Sequence, residues 1–425
     1  MPPLEQPLLF STPRSKFDIN HAYTRFINRR LSTTTTIFLW SLLFIAFITS
    51  YLFFVDSGQR FLHLFTSWEK TVRSSAQITR ANGISVLVTG AAGFIGSHVS
   101  LALKKRGDGV VGVDNFDNYY GPSLKKTRRA LLEFHGILVV DGDINNRRLL
   151  ASLFDTVEFT HVMHLAAQVG VQYAVHNPYT YAHNNVVSFV ALLEECKSAD
   201  PKPAVVWASS GAVYGLQNKV PFSESDRVDL PATIYGSTKR TGEEITRTYN
   251  HLYGLSITGL RFFTVYGPWG RPDMAYFSFI RNILLGRPIT VYRDKNQVNL
   301  ARDFIYIDDI VKGCIASLDT SGKSTGSGGL HNRTAPYRIF NLGNAAPVTV
   351  AAMVTILEEN LKMKTTKNMV DMCGNGDDLL ARLNTSLAEK ELGYKPTTDL
   401  RTGLREFVKW YLWYYGKPLV QDRDV

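Results

Sequence analysis

The chain has 425 residues, is 45% hydrophobic and 20% charged, and carries a net charge of +10. That composition builds a folded core and excludes an intrinsically disordered chain. Residues 1–80 hold nine Lys/Arg and four Asp/Glu, so half of the net charge sits there. The remainder is mildly basic, which suits a small anionic substrate and excludes a nucleic-acid-binding stripe.

A polar tail over residues 1–36 leads into Ile37–Val55, IFLWSLLFIAFITSYLFFV, 19 residues without a charge. At 1.5 Å per residue such a run nearly spans a hydrocarbon core of roughly 30 Å, which predicts a transmembrane helix. A cleaved signal peptide would need a shorter apolar run nearer the start and a small-residue exit, and Tyr51-Leu52-Phe53-Phe54-Val55 is not one. Arg25, Arg29 and Arg30 precede the run without an acid among them, whereas Arg60 and Lys70 follow diluted by Asp56 and Glu69. This bias predicts a cytoplasmic N-terminus and a lumenal body, a type II anchor. The sequons at Asn332 and Asn384 fit a lumenal face. Residues 56–83 are mixed and aperiodic and are expected to form a stem.

From Ile84 strand-like runs alternate with helical patterns: ISVLVTG, FIGSHVSLALKKRG and VVGVDN, then ILVVDGD, THVMHLAAQ and AVVWASS. Alternation of this kind predicts an α/β fold, a doubly wound parallel sheet with helices on both faces. An NAD-binding Rossmann domain is expected over 84–260. A smaller, mainly substrate-binding domain is expected over 261–425, with part of it returning to the sheet. Cys196, Cys314 and Cys373 are far apart and lack paired spacing, so neither a disulfide framework nor a metal site is expected.

The turn Gly90-Ala91-Ala92-Gly93-Phe94-Ile95-Gly96 lies between the first strand and the first helix. Glycines there permit a tight turn and close approach of a pyrophosphate to the helix N-terminus. Asp114 ends the second strand, where a carboxylate accepts hydrogen bonds from the adenosine ribose and disfavours a 2′-phosphate. NAD is therefore expected rather than NADP. Asp143 is placed either to meet the adenine or to cap a helix. The strand ending in Ser209-Ser210 is followed by Gly211 and Ala212, which carry no functional group. Tyr235 and Lys239 stand four apart on one helix face. A phenol of ordinary pKa near 10 is a poor base near neutrality, and a neighbouring ammonium favours the phenolate. Tyr235 is thus the candidate general base, with Lys239 beside it.

These segments, with GVDNFDNYY, GDIN, TVYGPWGRPDMA and ARDFIYIDDIVKG, resemble the extended short-chain dehydrogenase/reductase family. Within its NAD-dependent sugar epimerases, the chain is similar to the plant-type, membrane-anchored UDP-glucuronate 4-epimerases. The resemblance runs from Ile84 to about Tyr415. It implies a retained NAD and epimerisation at C4 of a UDP-sugar, supplying UDP-galacturonate for pectin-type polysaccharide. It also implies a Golgi membrane location and a homodimer paired through helices near Tyr181–Glu195 and Tyr235–His251. By position, Ser210 would bridge the sugar 4-hydroxyl and Tyr235, Thr264 would touch the sugar, Arg302 would reach the diphosphate, and Arg271 would stand on the substrate side. Ile144, Asn185 and the backbone of Leu165-Ala166-Ala167 would line the cofactor.

Related dehydratases and decarboxylases place an acid before VYG, where this chain has Gly211 and Ala212. That leaves oxidation and re-reduction at C4 as the available chemistry. The epimerases of this branch usually carry hydroxyls at these two positions, arginine where Gln172 stands, and a different stretch from CGNGDDLLARLN near the C-terminus. These departures predict weakened uronate binding. They keep two alternatives open: an epimerase of another UDP-sugar, and a weakly active or non-catalytic NAD-binding partner subunit.

Overall fold

The computed structural model describes residues 33–217, 219–293, 300–327, 335–371 and 382–416, without side chains at 33–37, 55–65, 171 and 172. The sequon at Asn332, Cys373 and most of the CGNGDDLLARLN segment lie outside the described residues, as does the side chain of Gln172. The chain divides into two compact units, Met1–Trp68 and Glu69–Val425.

In the first unit the described backbone belongs to the helix Thr33–Ser75. Its large apolar side chains from Phe38 to Phe54 are exposed, and the Thr49 hydroxyl donates back to the Ile45 and Ala46 carbonyls. Among the described residues no helix is long and apolar enough to cross a membrane, so the span expected over Ile37–Val55 is not established by the fold.

The second unit starts earlier than the change of texture at Ile84 implies. Residues from Glu69 belong to it, and part of the segment read as an aperiodic stem is helical. Val72, Ser75 and Ala76 form a short buried stripe at i, i+3 and i+4. The Ser75 hydroxyl donates to the Val110 carbonyl and accepts from Leu138 N at 2.8 Å. Gly109 admits this packing, because a Cβ there would stand 1.9 Å from the Ala76 carbonyl oxygen.

The core is a seven-stranded parallel sheet in the order Tyr337–Leu342, Ile257–Phe262, Ala204–Ser210, His161–His164, Ser85–Thr89, Gly109–Asp114, Leu138–Asp141. Every residue of Ser85–Thr89, Gly109–Asp114 and Ile257–Phe262 is buried. Both sheet faces are covered, which is why these runs are continuously apolar rather than alternating. Chain order reverses between Ser85–Thr89 and His161–His164, and such a switch opens a crevice at the strands' carboxyl ends. The last strand, Tyr337–Leu342, comes from the C-terminal half. Among the described residues that half also contributes three two-stranded pairs, one of them Thr264–Tyr266 with Phe304–Tyr306. Cys196 and Cys314 are buried and unbridged, and burial pushes both thiols up. Among the described residues no group of His, Cys, Asp or Glu is arranged to hold a metal.

Candidate active site

A cleft of about 750 Å³ opens at the crevice. The glycine-rich turn forms one wall. Gly90 has φ +70°, and a Cβ there would stand 2.7 Å from Ala166 N. Added Cβ atoms at Gly93 and Gly96 would stand 2.8 and 2.1 Å from the Gly90 carbonyl oxygen. The helix Phe94–Arg106 starts at this turn without a side-chain cap, so its first N–H groups remain available to an anion. Phe94 and Ile95 line the cleft beside the glycines.

Asp114 ends its strand in the same wall. Its carboxylate accepts from Ala92 N at 3.1 Å and Phe116 N at 2.9 Å, with the Lys125 ammonium at 3.4 Å. A carboxylate has about four acceptor sites, so capacity for a ribose remains. Asp143 and Ile144 line the cleft further out. Asp143 does not cap the next helix; Asn146 does, accepting from Leu149 N. Asp143 instead accepts from Asn145 N at 2.7 Å and Asn115 Nδ2 at 3.0 Å. Burial pulls its pKa up, but these bonds outweigh burial and hold it below the usual carboxylate value. Leu165, Ala166 and Ala167 line the cleft next to the glycine turn. Asn185 stands behind them rather than in the cleft. Its amide oxygen accepts from Gln168 N at 2.7 Å, and its Nδ2 donates to the Gln168 carbonyl and to Thr238 Oγ1, both at 3.0 Å. The glycine cradle, the uncapped helix and the strand-end carboxylate together fit an NAD.

The second wall carries the reactive groups. The helix Ile234–Tyr253 starts at Thr233, whose hydroxyl accepts from Gly236 N at 2.9 Å. This places Tyr235 and Lys239 one turn apart facing the cleft. Ser210 ends its strand in the same lining. Burial raises the Tyr235 pKa, while the Ser210 hydroxyl and the Arg271 charge act to lower it. Lys239 contributes differently from the sequence expectation. Burial lowers its pKa to about 7, and Nζ donates to the Ala208 carbonyl at 2.9 Å, 5.9 Å from the centre of the Tyr235 ring.

Thr264, Arg271 and Phe263 also line the cleft. Arg271 Nε donates to Asp273 Oδ1 at 3.0 Å, and Nη2 pairs with Asp273 Oδ2. Tyr119 OH donates to the same carboxylate at 3.2 Å, joining the two sides of the cleft. Arg302 does not line the cleft; it lies on the short strand Ala301–Arg302, with Nη1 donating to the Ala301 carbonyl at 3.1 Å. Gly211 and Ala212 are not lining residues either. They form a 3-10 turn in which Ala212 N donates to Ser210 Oγ at 3.1 Å, and a Cβ on Gly211 would meet the Phe263 ring at 3.0–3.1 Å.

Residue patterns alone miss two supports. Ser209 Oγ donates to Glu243 Oε1 at 2.7 Å, and Glu243 is bound bidentately by Arg261 at 2.9 and 2.8 Å, which fixes the strand end to the catalytic helix. Thr89 Oγ1 lies 2.8 Å from His164 Nδ1, and burial pushes that imidazole down to about 3, keeping it neutral. Glu243 lies eight residues beyond Tyr235 on the same helix, the one available sequence signal.

Residues 86–343 match the family described as "NAD dependent epimerase/dehydratase family". UDP-glucuronate 4-epimerase 1 of Arabidopsis thaliana is 65% identical over 98% of this chain and 98% of its own length. UDP-glucuronate 4-epimerase 3 of the same plant is 58% identical over 91% and 92%. Among solved structures, the UDP-glucuronic acid 4-epimerase of Bacillus cereus in complex with UDP-glucuronic acid and NAD is 32% identical. It covers 78% of this chain and 99% of that one, with a TM-score of 0.68.

Proposed function

The chain belongs to the NAD dependent epimerase/dehydratase family, and we propose that within it the protein is a UDP-glucuronate 4-epimerase producing UDP-galacturonate. One observation carries this reading: Ser210, Tyr235 and Arg271 line the same cleft as the glycine cradle. The cradle and Asp114 would hold NAD, which would supply an acceptor and donor of hydride. Tyr235 takes the proton of the sugar 4-hydroxyl, with Ser210 bridging, and later returns it. Arg271 is the cation placed for a uronate carboxylate, and Thr264 orients the ring. No carboxylate stands at positions 211 and 212 to drive loss of water or CO₂. The test is incubation of the full chain in detergent with UDP-glucuronate, with separation of the products. UDP-galacturonate supports the reading; an unchanged substrate or a released pentose sugar nucleotide refutes it.

The finer readings are proposals of the same kind. A single type II anchor over Ile37–Val55, with the body in the Golgi lumen, is supported by the uncharged run and the arginines before it. Protease added to sealed microsomes then trims only the N-terminal tail; digestion of the body contradicts the anchor. A homodimer is proposed through the helices containing Tyr181–Glu195 and Tyr235–His251, by likeness to the family. A monomeric mass in light scattering overturns it.

A further inference from the structure

The helix Pro122–Phe134 buries a stripe of three residues, Leu124, Arg128 and Leu132. An arginine thus occupies the apolar position of the stripe, and it is 0% exposed. Buried guanidinium groups are ordinarily paired with a carboxylate. Among the described residues none pairs with Arg128. Its bonds go to four neutral oxygens instead. Nη1 donates to the Ala92 carbonyl at 3.2 Å and to Tyr120 OH at 3.0 Å. Nη2 donates to the Trp269 and Gly270 carbonyls at 2.5 and 2.9 Å.

These acceptors come from two functional segments. Ala92 lies inside the glycine turn, and its N–H also binds Asp114. Trp269 and Gly270 immediately precede Arg271. Trp269 has φ +60°, which L-residues seldom adopt, so this turn depends on what holds its carbonyl. Tyr120 lines the cleft between the two segments. One planar, permanently charged fork therefore fixes both the cofactor turn and the backbone that places Arg271 and Asp273. Lysine carries the charge but cannot supply two pairs of donors in one plane.

We infer that Arg128 is a positioning residue that couples occupancy of the dinucleotide turn to recognition of the sugar carboxylate. The inference rests on the epimerase reading above. It makes binding of NAD and of UDP-glucuronate mutually reinforcing, and coupling between sites is reciprocal, typically about 5–150-fold.

The experiment measures NAD affinity of the NAD-stripped full chain, with and without saturating UDP-glucuronate, for the natural protein, Arg128→Lys and Arg128→Met. Circular dichroism and melting temperature run alongside. The natural protein binds NAD at least about fivefold tighter in the presence of UDP-glucuronate. Arg128→Lys stays folded, keeps most of its intrinsic NAD affinity and loses that enhancement. Arg128→Met loses both, and if it fails to fold the lysine variant carries the test. An enhancement of equal size in Arg128→Lys, or none in the natural protein, overturns the inference. Because the readout is binding, a natural protein that binds UDP-glucuronate without epimerising it refutes the proposed activity and leaves the coupling measurable.

Discussion

Replacing Arg271 by methionine separates two roles that the structure gives to one side chain. Arg271 lines the cleft, its side chain is 21% exposed, and Asp273 holds it through two contacts. It is also the charge that favours the Tyr235 phenolate against burial. A charge-assisted hydrogen bond contributes about 1.5–3 kcal/mol. At about 1.4 kcal/mol per tenfold, its loss lowers kcat/KM for UDP-glucuronate by about 10- to 150-fold relative to UDP-glucose, which has no carboxylate. The second role affects both sugars alike. Without Arg271 the Tyr235 pKa rises further, so kcat falls near neutrality and recovers as pH is raised. The assay is kcat/KM for both sugar nucleotides from pH 6.5 to 9.5, with melting temperature as the control. An equal loss for both sugars with an unmoved pH profile refutes the assignment of Arg271 to the carboxylate and to the phenolate.

Tyr235→Phe keeps the fold and bound NAD but lowers turnover by about 10²–10⁴-fold, the usual worth of a general base; near-full turnover places the base elsewhere. Lys239→Met raises the melting temperature at pH 6, because burial depresses the lysine pKa to about 7. Below that pH the folded and unfolded chains both carry the proton, and the buried charge is fully penalised. Between about 7 and the ordinary value of 10.5 the unfolded chain holds more protons, so the natural protein gains stability with pH and the variant's advantage disappears. Calorimetry at pH 6 and 9.5 checks this; an advantage that grows with pH contradicts it. Gly211→Ser combined with Ala212→Ser leaves the preference between UDP-glucuronate and UDP-glucose within about threefold, since neither residue lines the cleft. It lowers the melting temperature slightly through contact with Phe263; a large gain in uronate preference shows that these positions face the substrate.

The sheet was legible because fully buried parallel strands read as short unbroken apolar runs between helical patterns. The glycine turn, Asp114 and the Tyr235–Lys239 spacing were legible because local geometry sets them. What escaped depends on contacts distant in sequence. Gly211 and Ala212 look like gaps in the sugar pocket, but Phe263 from the next strand's end covers Gly211. Lys239 looks like the cation beside Tyr235, but its burial, which lowers its pKa to about 7, and the Arg271 charge from another segment, which also acts on Tyr235, show only in the fold. Arg302 looks substrate-facing, yet the lining of the cleft does not include it. Arg128 reads as one charge in KKTRRALL, and only the fold reveals its position between Leu124 and Leu132 on a buried stripe.

Epimerisation at C4 removes hydrogen from that one carbon and returns it to the opposite face. UDP-glucuronate deuterated at C4 tests it most directly. The expected product is UDP-galacturonate that keeps the deuterium at C4, with no exchange into water and no net change in the bound NAD. Loss of the label to solvent, or a product lacking the carboxylate, contradicts it.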